Sequence, residues 1–277
     1  MSPGHLVILL AAGASAGFAS GLLGVGGGFV MVPVMYWLIV ATGTAQSVAI
    51  MTAFGTSLLV ILPTAASGTW RHGRKGVVRW RAALVLGPCG LLGGLAGATL
   101  AAHLPGWVLR TVFGGVVLAV AAWMGLGPTS RPSGEGVEPR DNRLLLAALG
   151  FPIGMISGLT GLGGGALIVP ALVGTSAFPV HLAVGTSAAS IMFTGLGGII
   201  GYVANGAGVA GRLPYSIGYI NLPLWFCLIA ASVPMAQLGA RTAHALPARR
   251  LRYVFVALML YIGLRMIGVF GWLGLPL

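Results

Sequence analysis

Two stretches of this chain gather glycines where a helix would not want them. Residues 21–33 read GLLGVGGGFVMVP and residues 158–170 read GLTGLGGGALIVP, identical at eight of thirteen positions. A cluster such as Gly26, Gly27 and Gly28, or Gly163, Gly164 and Gly165, breaks a helix and lets backbone N–H groups approach a ligand with no Cβ in the way. Where a helix restarts after the cluster, its first N–H groups and the positive end of its dipole suit an anion. Pro33 and Pro170 fit the first turn of helices starting near Phe29 and Ala166, where no intrahelical donor is lost. Ala53-Phe-Gly-Thr-Ser57 is echoed by Ala183-Val-Gly-Thr-Ser187. Thr56, Ser57, Thr186 and Ser187 can donate hydroxyl hydrogen bonds to an oxyanion, or bond back to the preceding helical turn.

Other chemistries find little support. Gly24-Val-Gly26 is followed by Phe29 where a dinucleotide site needs a third glycine, no acidic residue follows about 20 residues on, and no Lys-Ser or Lys-Thr pair makes a phosphate loop. There is no HExxH, no paired carboxylate and no nucleophile with an oriented base, so neither an enzyme nor a cofactor nor a metal site is expected. Cys89 and Cys227 stand alone in apolar runs as packing residues. No Asp or Glu lies in any apolar segment, which disfavours a carboxylate Na⁺ site or proton relay. Among the bases, Arg265 is the clearest within a segment, and snorkelling to the outer surface competes with a substrate role. His181 reads first as interfacial. Arg71 and His72 could attract anions at an inner mouth, although topology alone explains them.

The elements that hold these residues belong to a bilayer. The chain has 277 residues, 57% hydrophobic and only 6% charged, with mean hydropathy +0.98. Soluble domains carry about 25% charged residues. Long apolar runs exclude a β-barrel, whose strands would be about ten residues long and alternating. The net charge of +12 reflects bases beside apolar segments rather than a nucleic-acid surface. The start, from His5 to Gly24, could pass for a signal peptide, but its end repeats deep in the chain and is expected to be retained. Scattered pairs such as Gly93 with Gly97 and Gly197 with Gly201 read as helix-packing glycines.

Ten apolar segments are expected, near 5–23, 29–41, 45–69, 82–103, 106–126, 143–160, 166–174, 177–204, 217–243 and 250–270. The second and seventh are shorter than the roughly 20 residues a crossing needs, and each follows a glycine cluster. Residues 128–142 form a hydrophilic linker holding all three acidic residues. It separates repeat 1 (1–127) from repeat 2 (143–277), a duplication supported by a third match, Leu104-Pro105, Leu109-Arg110 and Val112-Phe113 against Leu246-Pro247, Leu251-Arg252 and Val254-Phe255. Bases crowd after the third segment in repeat 1 (Arg71 to Arg81) but one loop later in repeat 2 (Arg241 to Arg252). If both clusters are cytoplasmic, the repeats are inverted, with 70–81, 128–142 and 241–252 inside and both termini outside. The fold class is an all-α integral membrane protein of two inverted-topology repeats, about five helical segments each, with short broken or re-entrant helices after the glycine motifs. Such a design recurs in secondary transporters.

The doubled glycine motif, with GTSLLVILPTAASGTWRHG at 55–73 and AVGTSA at 183–188, resembles the sulfite exporter TauE/SafE family over nearly the whole chain. The resemblance implies a multi-pass permease of the plasma (inner) membrane for sulfite, sulfonates or related sulfur anions. An exporter working by alternating access is expected, with a passive anion channel of the same fold as the alternative. Its partners are then the lipid bilayer and a small sulfur-containing anion, and no nucleic acid.

Overall fold

The computed structural model describes residues 3–126, 142–242 and 248–269. Ten helices run α1 (Pro3–Leu23), α2 (Gly28–Ala41), α3 (Gln46–Arg74), α4 (Trp80–Ala102), α5 (Gly106–Leu126), α6 (Arg143–Thr160), α7 (Gly165–Thr175), α8 (Val180–Asn205), α9 (Leu222–Thr242) and α10 (Ala248–Ile267). Seven are long and apolar enough to cross a bilayer, and the protein is an all-α multi-pass membrane protein. At 1.5 Å per residue, α2 and α7 span only about 21 and 16 Å, short of the ~30 Å hydrocarbon core.

α3 and α8 form the inner pair. Their apolar windows are 83% and 78% buried, against 28–44% for the other five long helices, so those five carry the lipid-facing surface. Packing is reciprocal between the halves. α1 lies along α9 in the same direction, with Gly13, Gly17 and Gly21 against Leu228, Ser232 and Ala236. α4 lies along α6 in the same way, with Gly90 and Gly94 against Gly154 and Gly158. The third helices of the halves cross antiparallel, Gly55 meeting Tyr202 and Leu58 meeting Gly198, and α5 meets α10 antiparallel through Gly114 with Gly263 and Gly125 with Val256. Gly125 apart, glycine at these contacts lets the helices approach to where a Cβ would collide, the usual basis of helix association in lipid. Gly93, Gly97 and Gly197 fit the same pattern, against the backbones of Phe151, Met155 and Leu91.

Some expectations need correction. α3 runs on to Arg74 rather than stopping at residue 69, because the helix continues past its apolar stretch and carries the bases Arg71, His72 and Arg74 in its last turn. α8 starts at Val180, not 177: Ala177 takes a left-handed φ of 54° and Pro179 precedes the first turn. α9 starts at Leu222, not 217, since Ser216–Ile217 and Ile220–Asn221 pair as a short antiparallel ribbon. Pro33 and Pro170 fall in the second turns of α2 and α7. Each therefore removes a helical donor, to the carbonyls of Phe29 and Ala166. The linker 128–142, Asn142 apart, and the side chains of the second basic cluster beyond Arg241 lie outside the described residues.

Candidate functional site

The two glycine clusters meet. The Cβ direction of Gly26 points at the Leu162 carbonyl, 3.1 Å away, and that of Gly28 at the Gly161 carbonyl, 2.7 Å away; Gly165 faces the Gly24 carbonyl. The same direction at Gly163 meets Ile61 and Ile191, which lie midway along α3 and α8. The clusters thus cross at the middle of the two longest helices. Their backbones match: Gly24, Gly26 and Gly27 have φ of 68°, 88° and 75°, and Gly161, Gly163 and Gly164 have 68°, 83° and 79°. All lie in the left-handed region that only glycine enters freely. Gly27 and Gly164 are the residues from which α2 and α7 restart. The N–H groups of Gly26, Gly27 and Gly28, and of Gly163, Gly164 and Gly165, have no protein acceptor among the described residues.

The duplicated hydroxyls hold this crossing. Ser57 Oγ donates to the Gly161 carbonyl (3.1 Å) and Ser187 Oγ donates to the Gly24 carbonyl (3.2 Å), each reaching across to the other half. Thr56 Oγ1 accepts from the Asn221 N–H and Thr186 Oγ1 accepts from the Arg79 N–H, both at 3.0 Å, at the entries to α9 and α4. All four hydroxyl residues are fully buried. They serve neighbouring backbone across the halves, neither a neighbouring turn of their own helix nor open space.

Two residues that sequence reasoning missed lie on one side of the crossing: Ser157 has an unused hydroxyl, and Thr194 ties the loop in place. A Cβ at Gly164 would find Ser157 Cβ and Thr194 Oγ1, each at 3.5 Å. Ser157 is fully buried and its hydroxyl has no hydrogen-bond partner among the described residues. A buried, unpaired hydroxyl costs about 1–3 kcal/mol, so it marks a place where a partner belongs. Thr194 Oγ1 shares its one proton between the Gly163 and Ile191 carbonyls, each 3.0 Å away. The signal was present: Ser20 and Ser157 extend the glycine motif by one identical residue, and Thr64 and Thr194 each follow the Gly-Thr-Ser serine by seven. Beside the crossing, Phe29, Leu162 and Ala166 share a narrow apolar crevice, too tight for a water molecule, with Val117 and Val120 of α5 and Met259 of α10.

The remaining candidates lie apart. The Arg265 guanidinium stacks over Trp37 (4.1 Å) and donates to Tyr261 Oη (2.9 Å). His181 is exposed at the start of α8, while Arg71 and the buried His72 lie in the last turn of α3. Of these four, His72 comes near the second Gly-Thr-Ser segment, its Cβ 3.3 Å from where a Cβ at Gly185 would sit.

A family model described as sulfite exporter TauE/SafE matches residues 9–266. The chain is 30% identical to a probable membrane transporter protein of Haemophilus influenzae, over 94% of this chain and 97% of that one. It is 27% identical to a probable membrane transporter protein of Methanocaldococcus jannaschii, over 95% of each. A third such protein, from Bacillus subtilis, is 28% identical over 95% of each. No solved structure matches.

Proposed function

The chain belongs to the sulfite exporter TauE/SafE family, and from that premise we propose that it is a permease for sulfite or a related organosulfur or sulfur oxyanion, working as an exporter by alternating access. The observation that carries this reading is the polar side of the crossing. There the N–H groups of Gly163, Gly164 and Gly165, without a protein acceptor among the described residues, lie at the positive end of α7, the Ser157 side chain is beside Gly164, and no described residue is a carboxylate. Donors without a fixed counter-charge favour an oxyanion over a cation. The close contact of Gly165 with the Gly24 carbonyl closes this layer, which favours a gated carrier over an open channel.

The halves are read as inverted repeats, 1–127 and 143–277. An axis relating α3 to an antiparallel α8, and α5 to an antiparallel α10, runs across the helices and so lies in the membrane plane, as in other inverted-repeat carriers. The reciprocal serine and threonine bonds support that reading. The crevice sits on the same axis, because Val117 and Met259 occupy equivalent places in the third sequence match, as do Phe29 and Ala166 in the glycine motif. Alternating access then takes the form of α5 and α10 moving against the crossed loops.

Purified protein in proteoliposomes tests the function. Sulfite efflux should saturate and should be competed by sulfoacetate or thiosulfate. Flux of sulfite, sulfate, thiosulfate and sulfoacetate no faster than in protein-free vesicles would overturn it.

A further inference from the structure

A second cavity lies away from the glycine crossing, at the end of α3 where it turns into α4, with a mainly apolar wall that carries one base and one hydroxyl. It is open to the surface, has a volume of about 330 Å³ and is lined by Thr69, Trp70, Gly73, Arg74 and Trp80. We propose that it binds the headgroup of an anionic phospholipid.

The chemistry of the wall supports that occupant. The Arg74 guanidinium stacks over the Trp70 ring at 4.2 Å, which orients it while leaving its hydrogen-bond fork available. Trp80 leans over Gly73, whose Cβ direction comes within 3.7 Å of the indole ring. Thr69 is 6% exposed and its hydroxyl has no partner among the described residues. Lys75, directly after α3, and Arg81, in the first turn of α4, are exposed. The only three acidic residues of the chain are Glu135, Glu138 and Asp141, so no described carboxylate neutralises these bases. A phosphodiester would accept from Arg74 and the Thr69 hydroxyl together.

Position distinguishes a lipid from a soluble anion. The cavity sits where apolar α3 gives way to its basic last turn, with two exposed tryptophans, the composition of a membrane interface. Leu84, one turn beyond Trp80 on α4, is also exposed and offers a path for an acyl chain. The feature does not come from the duplication. In the register of the Gly-Thr-Ser match, Thr69, Trp70, Gly73 and Arg74 correspond to Ile199, Ile200, Val203 and Ala204, and Leu222 opens α9 where Trp80 opens α4. The other half has kept the helices and none of this chemistry.

Native mass spectrometry of the full chain, extracted from vesicles of phosphatidylglycerol and phosphatidylcholine, tests the proposal. Wild type should retain phosphatidylglycerol preferentially. Arg74→Gln should cut that retention at least fivefold and Thr69→Val about twofold, while Arg110→Gln at the far end of the molecule should leave it unchanged. Each variant is first checked for an unaltered melting temperature; if Arg74→Gln fails that check, Lys75→Gln with Arg81→Gln is used and should give the same loss. Equal retention by variants and wild type would overturn the proposal. So would displacement of the lipid by millimolar inorganic phosphate, which would make this a soluble-anion site.

Discussion

Gly27 and Gly164 hold the same place in a duplicated motif and nearly the same left-handed backbone, with φ of 75° and 79°, yet their surroundings differ. A Cβ at Gly27 would lie 2.5 Å from the Ala16 carbonyl and 2.9 Å from its carbon. One at Gly164 would meet nothing nearer than 3.5 Å, and two of its three neighbours there belong to Ser157 and Thr194. The first loop is braced against the backbone of α1; the second keeps polar room beside it. The two matching motifs share a backbone path and differ in what surrounds it.

Substituting the two glycines should give the largest contrast. Gly27→Ala combines left-handed strain of about 1–2 kcal/mol with overpacking of about 1–3 kcal/mol, and should lower stability by the sum. Gly164→Ala should show only the strain. Unfolding midpoints in detergent check this, and equal losses would break the comparison.

The next contrast sets Thr194 against Thr64, its counterpart. Thr194 bonds the Gly163 carbonyl and so positions the second loop, whereas Thr64 is engaged with the Val60 carbonyl and Ser232. Thr194→Val should raise the KM for sulfite about fivefold, the effect of one hydrogen bond of ~1 kcal/mol, and Thr64→Val should leave it within twofold. Initial rates in proteoliposomes would show whether the order reverses.

Ser57 and Ser187 sharpen the comparison from the other side, because here the halves should behave alike. Each makes one buried bond to the opposite glycine loop. Ser57→Ala and Ser187→Ala should each cost ~1 kcal/mol of stability, equal within a few tenths. A large inequality would mean that one tether carries the crossing alone.

The smallest expected effect concerns protons. With no carboxylate in the described helices, a proton can travel on the substrate as bisulfite. Sulfite transport should then rise with acidity, and replacing His5, His72, His103, His181 or His244 singly should leave that dependence intact. Loss of the pH dependence in one histidine variant would place the relay on the protein.

How much of this was legible in the sequence follows from the range of each interaction. Helices set by long apolar runs were placed to within a few residues, and α5 and α6 at their limits. The end of α3 was missed because helix geometry does not stop where hydropathy does. The ribbon at 216–221 was missed because two-residue strands leave no period to read. At the site, the glycine clusters were readable because backbone conformation dictates the residue type locally. The tasks of Thr56 and Thr186 were not, since their partners, Asn221 and Arg79, lie 165 and 107 positions away. Ser157 was legible only as the residue that, like Ser20, precedes the glycine motif; its burial without a partner, which the sequence does not show, is what sets it apart.

Isothermal titration of sulfite into the purified protein tests the central claim most directly, with Ser157→Ala and Ser20→Ala compared against wild type. If the anion sits beside Gly164, removing the Ser157 hydroxyl should weaken binding at least tenfold, the loss of one charge-assisted hydrogen bond of about 1.5–3 kcal/mol, while Ser20→Ala binds as wild type. An unchanged affinity in a folded Ser157→Ala protein would contradict it and move the anion elsewhere.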